Sequence, residues 1–284
     1  MTVTRFAPSP TGHLHLGHAF SALFAARAAA ETGGRFLLRI EDIDPVRCKE
    51  EFVRDLMDDL RWLGLKWEEP VRRQSRHMDD YAAAIARLRG MGLLYPCFCT
   101  RKEIEAEIAA AGHAPHPEDD AYGPVYPGTC RRLSSSQREE KLASCQSPAW
   151  RLDMALACKQ AGPLKWRDRA RGEIEARPEA FGDVVLARRD VPASYHLSVT
   201  VDDHLQGVTL VTRGEDLLRA TDIHRLLQAL LGYAAPEYHH HPLLLNENGK
   251  RFAKRDRAVT LRALRASGTT AEEVKKMAWR QVKA

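Results

Sequence analysis

Residues 3–40, VTRFAPSPTGHLHLGHAFSALFAARAAAETGGRFLLRI, decide how this 284-residue chain folds. Val3 to Ala7 is a short apolar-rich start, and Pro8 to Gly12 carries turn chemistry. Leu16 to Glu31 is an Ala-rich helix that Gly33-Gly34 stops. Phe36 to Ile40 then reads as a buried strand. A strand, helix and strand in this order make a right-handed parallel unit, the opening of a doubly wound sheet of Rossmann type. Ligands of such sheets sit at the carboxyl ends of the strands, which puts Pro8 to His18 and Glu41 to Arg47 on one rim.

Outward from that unit, helical patterns follow at Glu50 to Leu63 and Met78 to Arg89. From Pro96 to about Pro178 the texture changes to scattered Cys, Pro, Ser and Gly without sustained periodicity, which reads as an insertion rather than sheet core. Regular texture returns with Tyr195 to Asp202, Val208 to Val211 and a helix from about Glu215 to Leu231, in which Leu218, Leu226, Leu227, Leu230 and Leu231 can share a face. The expected fold is α/β. Its doubly wound parallel sheet is built from residues 1–95 and 191–235 and split by an insertion at 96–190. A short, mainly helical region at 236–284 completes it.

A chain of this length buries a substantial core without cross-links. With 44% hydrophobic and 29% charged residues it has the composition of a soluble globular protein. Its apolar runs, such as Phe20 to Ala30 with Arg27 inside, fall short of a membrane span. The start, MTVTRFAPSP, lacks the layout of a signal peptide, so a cytoplasmic protein is expected; no membrane partner is expected either, and the chain is taken as a monomer. In a reducing compartment Cys48, Cys97, Cys99, Cys130, Cys145 and Cys158 stay thiols or bind metal, and their clustering after residue 96 favours metal. From Gly249 to Ala284 there are eleven Lys or Arg against three Asp or Glu. This local +8 within a total of +5 leaves −3 for the rest. A basic end on a mildly acidic body suits a docked polyanion, and also a solvated tail.

Taken alone, PSPTGHLHLGH, residues 8–18, is a candidate phosphate site: a rigid turn opens a helix whose free N–H groups and positive dipole end suit a triphosphate. His15 and His18 can donate hydrogen bonds as negative charge shifts. The stretch also resembles the HIGH-type signature of class I aminoacyl-tRNA synthetases of the glutamyl branch, with His15-Leu16-Gly17-His18 as the tetrapeptide. RIEDIDPVR (39–47), YHLSVTVDDHLQGVTLVTRGEDLL (195–218) and NENGKRFAK (246–254) resemble the same branch in the same order.

That resemblance implies ATP-dependent activation of glutamate, with Mg²⁺ accompanying ATP. Glutamate presents an ammonium and two carboxylates, so its site needs one acidic and at least two basic or hydrogen-bonding groups. By resemblance, Arg5, Phe6, Ala7, Pro8 and Ser9 line the amino-acid pocket, Glu41 meets the ammonium, and Tyr195 and Arg213 complete the enclosure. His15, Gly17, His18 and Lys254 face ATP, with His15, His18 and Lys254 acting on the phosphates. The family's second signature, commonly KLSK in this branch, reads Arg251-Phe252-Ala253-Lys254 here. The last lysine is retained, and a hydroxyl worth about 0.5–1.5 kcal/mol as a hydrogen bond is lost, so slower activity is expected.

Cys97-Phe98-Cys99 and Tyr126-Pro127-Gly128-Thr129-Cys130 bring three thiols together with a fourth ligand still to be chosen, a pattern for a structural zinc. The shortened members of the branch supply a tyrosine, which matches Tyr126. His113, His116 and Cys145 are the competitors. The chain runs about thirty residues past Lys254, and the resemblance is to the truncated members that esterify glutamate onto queuosine at the wobble position of tRNA(Asp). The anticodon stem-loop of that tRNA is the implied partner, its backbone held by the basic end. Charging of a tRNA 3′ end, or an idle tRNA- or nucleotide-binding regulator, are the alternatives.

Overall fold

The computed structural model describes residues 1–110, 125–144, 148–188, 191, 193–244 and 259–280. The opening unit forms as expected: β1 (Val3–Phe6), α1 (Leu16–Ala30) and β2 (Arg35–Ile40), with β1 and β2 parallel. Gly33 adopts the left-handed φ of 60° that ends α1. Gly34 passes so close to Thr2 that an added Cβ would lie 2.1 Å from its carbonyl oxygen, which only glycine permits. Then come α2 (Glu50–Trp62), β3 (Glu68–Arg73), α3 (Met78–Gly90), β4 (Leu94–Cys97), α4 (Arg101–Ala110), α5 (Ser135–Ser144), β5 (Ala149–Leu152) and α6 (Met154–Ala161). The chain continues through β6 (Lys165–Asp168), β7 (Gly172–Glu175), β8 (Val185–Ala187), α7 (Tyr195–Leu205), β9 (Leu210–Gly214), α8 (Ala220–Leu231), β10 (Glu237–His241), α9 (Leu261–Ala266) and α10 (Ala271–Arg280).

Strands β1, β2 and β3 form one parallel sheet in that order. A second sheet runs β7-β6-β10-β9, parallel except for β7. Thr209 joins the two: its N–H donates to Val3 O at 3.0 Å and its Oγ1 accepts from Val3 N at 2.9 Å, so β1 and β9 lie side by side. Chain order reverses between these strands, and such a switch point opens a crevice at their carboxyl ends. The antiparallel set β4-β5-β8 stands apart.

Two findings correct the reading of the middle of the chain. The stretch from Pro96 to Pro178 is not all outside the main sheet, because β6 pairs in parallel with β10. Four residues, KWRD, are too few to display a period, although Trp166 and Asp168 point inward and Lys165 and Arg167 outward. The segment Glu237–His241, EYHHH, is a strand whose polar composition gives no strand signal.

Buried Ala19, Phe20, Ala22, Ala25 and Ala29 of α1 pack against β2 and α2 in one core cluster, which also takes Leu261, Val274 and Ala278 from the C-terminal helices. Small side chains let α1 approach the sheet closely. A second cluster joins α3, α7 and α8, with Leu226, Leu227, Leu230 and Leu231 on the buried face of α8. Trp279 of α10 meets Phe20 edge-on at 5.2 Å beneath Arg27, whose guanidinium lies 5.1 Å from the indole. Among the described residues no helix is long and apolar enough to cross a membrane.

Candidate active site

The crevice at the switch point is a cleft of about 390 Å³. It is lined by Arg5, Phe6, Ala7, Pro8, Ser9, His15, Gly17, His18, Glu41, Tyr195 and Arg213, so the structure brings together every candidate of the main site except Lys254. Lys254 lies outside the described residues, as do Arg251, Phe252 and Ala253. Strands end at this place because Pro8, Pro10 and Gly12 follow β1, and Asp42, Asp44 and Pro45 follow β2.

His15 and His18 form a reciprocal cap on α1. The Gly17 N–H donates to His15 Nδ1 at 3.1 Å, and the His15 N–H donates to His18 Nδ1 at 3.2 Å. A neutral ring whose Nδ1 accepts carries its proton on Nε2, which gives each of these imidazoles, in its neutral form, an Nε2–H donor. Thr260 bridges His15, and Leu261 N donates to Leu14 O at 2.8 Å, which ties the C-terminal region to this turn.

Behind the rim, Asp203 binds two arginines. Its Oδ1 accepts from Arg5 Nε at 2.9 Å and from an Arg39 terminal nitrogen at 2.7 Å. Arg39, with 0% of its surface exposed, also donates to Glu41 Oε1 at 3.2 Å. Burial works against the Arg39 charge, but Asp203, Glu41 and Asp202 outweigh it and raise its pKa. Burial lifts Glu41 above the usual carboxylate value, against the pull of Arg39 and Arg5.

Arg213 is held differently. Its guanidinium donates to His240 Nε2 at 3.1 Å, His224 Nδ1 at 3.1 Å, Thr221 Oγ1 at 2.6 Å and Tyr195 Oη at 3.4 Å. No carboxylate among the described residues forms an ion pair with it, although it is only 6% exposed. Burial, reinforced by Arg213, brings His196 and His240 down to about 4 and His224 well below the usual imidazole value, so all three are neutral. His240 in turn donates through Nδ1 to Asp168 Oδ2 at 2.7 Å.

A second cluster lies by β4. Cys97, Cys99 and Cys130 place their sulfurs within 4.8 Å of one another. The Tyr126 oxygen stands 3.5 Å from Cys97 Sγ and 3.4 Å from Cys99 Sγ, and Cys99 and Cys130 are 3.4 Å apart. Metal–sulfur bonds of about 2.3 Å and a metal–oxygen bond of about 2.0 Å in a tetrahedron require S···S near ~3.8 Å and O···S near ~3.5 Å. The two oxygen–sulfur distances match that shape, and the three sulfurs, all within 4.8 Å of one another, are close enough to share one ion. His113, His116 and Cys145 lie outside the described residues.

Residues 1–280 match the family model described as tRNA synthetases class I (E and Q), catalytic domain. The chain belongs to that family. It is 50% identical over 280 residues to a Glutamyl-Q tRNA(Asp) synthetase of Rhodobacter capsulatus, with 97% of this chain and 99% of that protein covered. A glutamate–tRNA ligase of Halorhodospira halophila is 40% identical over 277 residues, which cover 94% of this chain and 56% of the ligase. A glutamate tRNA ligase from Elizabethkingia meningosepticum, solved in complex with its amino acid, superposes with a TM-score of 0.76 at 31% identity, over 90% of this chain and 52% of that one.

Within this class I synthetase fold, sequence reasoning missed Arg39, Asp203, Asp168, His224 and His240. An arginine inside the apolar run FLLRI was a signal, since a buried cation needs a partner. Nothing in the local pattern pointed to Asp203 as that partner, 164 residues away.

Proposed function

We propose that this chain uses ATP to turn glutamate into glutamyl-adenylate and passes the glutamyl group to the queuosine base at the wobble position of tRNA(Asp). The observation that carries this reading is the opposition of Glu41 and Arg213 in one cleft that starts at His15 and His18. A carboxylate suits an ammonium, a guanidinium that no carboxylate among the described residues neutralises suits a carboxylate, and imidazole N–H donors at a helix start suit phosphates. Arg5, Phe6, Ala7, Pro8, Ser9 and Tyr195 close the amino-acid pocket, and Gly17, which lines the cleft, is assigned with the two histidines to the nucleotide.

The glutamate α-carboxylate attacks the α-phosphorus of Mg²⁺-bound ATP, and the bond to pyrophosphate breaks. No protein nucleophile takes part; catalysis is by positioning and charge stabilisation. Lys254 is assigned to the leaving pyrophosphate. The segment that carries it is bracketed by Leu244, which lines the cleft, and Thr260, which bridges His15. A hydroxyl of queuosine then displaces AMP from the mixed anhydride. The relative from Rhodobacter, matched over nearly its whole length, supports this acceptor; the ligase from Halorhodospira is matched over about half. Cys97, Cys99, Cys130 and Tyr126 are assigned to one structural zinc.

The test supplies MgATP, labelled glutamate and tRNA with or without queuosine, digests the tRNA and locates the label. Label at the wobble nucleotide, only when queuosine is present, is expected. Label at the 3′ terminus would replace the acceptor, and absence of any adenylate would end the reading.

A further inference from the structure

The cleft contains two arginines in contrasting settings. Arg5 is neutralised by Asp203 at 2.9 Å, whereas Arg213 is surrounded by neutral acceptors from α7, α8 and β10. We infer that His224 and His240 are specificity-determining positioning residues: two uncharged imidazoles that fix the Arg213 guanidinium from either side while leaving its charge for the side-chain carboxylate of the substrate. The inference rests on the glutamate pocket proposed above.

The geometry restricts which tautomers fit. His240 gives its Nδ1 proton to Asp168, and Nε2 is left to accept from Arg213 Nε. His224 accepts from Arg213 through Nδ1, and its Nε2 proton goes to His196 Nδ1 at 3.2 Å. Each ring is therefore held by a second residue that Arg213 does not touch, Asp168 or His196. Carboxylates in the places of His224 and His240 would bind the guanidinium as firmly and also neutralise it. A neutral cradle orients the cation and leaves an incoming carboxylate with a better partner than an amide. The substrate α-carboxylate has to reach the phosphates at the start of α1, so the carboxylate left for Arg213, against α7 and α8, is the side-chain one.

An isosteric pair separates charge from shape. In His224→Asn and His224→Asp, a side-chain oxygen takes the place of Nδ1 beside Arg213; the two variants lose the same contact to His196 and differ by one charge. Amino-acid-dependent pyrophosphate exchange is measured for glutamate and glutamine, with the melting temperature of each protein. His224→Asn is expected to stay within about 5-fold of the parent in KM for glutamate. His224→Asp is expected to raise that KM by about 100-fold or more, with kcat changed less, and to shrink the preference for glutamate over glutamine by a similar factor. If the aspartate form does not fold, Asp168→Asn/His240→Glu against Asp168→Asn/His240→Gln repeats the comparison from the other side of the guanidinium. Equal glutamate KM and equal preference in the two members of a pair would overturn the inference. A parent enzyme that does not activate glutamate would instead overturn the pocket assignment itself.

Discussion

Arg39 and Asp203 form a buried ion pair, 2.7 Å from nitrogen to oxygen, that ties β2 to α7 directly beneath the cleft. The same aspartate oxygen holds Arg5, and the same guanidinium holds Glu41, so one pair sets the position of two pocket residues. Asp203→Asn leaves buried guanidinium charge without its main counter-ion. A loss of about 3–5 kcal/mol in stability is expected, measured by denaturant unfolding, together with weaker glutamate activation. A loss under about 1 kcal/mol would show that Asp202 and Glu41 compensate.

Glu41 is predicted to act in its ionised form. Glu41→Gln should lower kcat/KM for glutamate roughly 10- to 100-fold in pyrophosphate exchange, the worth of a charged hydrogen bond, without loss of fold. Because burial raises the Glu41 pKa, the acidic limb of kcat/KM should lie above the ordinary carboxylate range and disappear in the Gln variant. An unchanged limb would assign it to another group.

The buried histidines predict acid sensitivity of the fold. His196 and His240 sit near 4 in the folded chain against about 6.5 when unfolded, so the unfolded chain binds more protons between those values. Stability should therefore be full above pH 6.5 and fall as pH drops toward 4, by on the order of 3 kcal/mol for each of the two. His196→Gln should flatten the unfolding free energy plotted against pH over that window; a curve as steep as the parent's would remove His196 from the account.

One zinc per chain is expected by elemental analysis. Chelation should lower the melting temperature, and Cys130→Ser should abolish stoichiometric metal. Tyr126→Phe tests the fourth ligand: it should weaken zinc retention, whereas parent-like affinity would assign that place to another donor.

The strand–helix–strand start and the rim position of Pro8 to His18 and of Glu41 were legible in residues 3–41, because turn chemistry and periodicity act over a few neighbours, whereas Arg5, Phe6 and Ala7 entered the site through the resemblance. Short range also explains Cys97 and Cys99. The resemblance extended the reading to Tyr195 and Arg213. Partnerships across the chain were another matter: Arg5 meets Asp203 198 residues on, and His240 meets Asp168 72 residues back. The strands β6 and β10 that create the second contact have no readable period. Propensity describes what a segment can become, and burial decides which charges must find each other. Whether Arg213 is neutralised or left with an open charge depends on how α7, α8 and β10 converge, which only the folded chain settles.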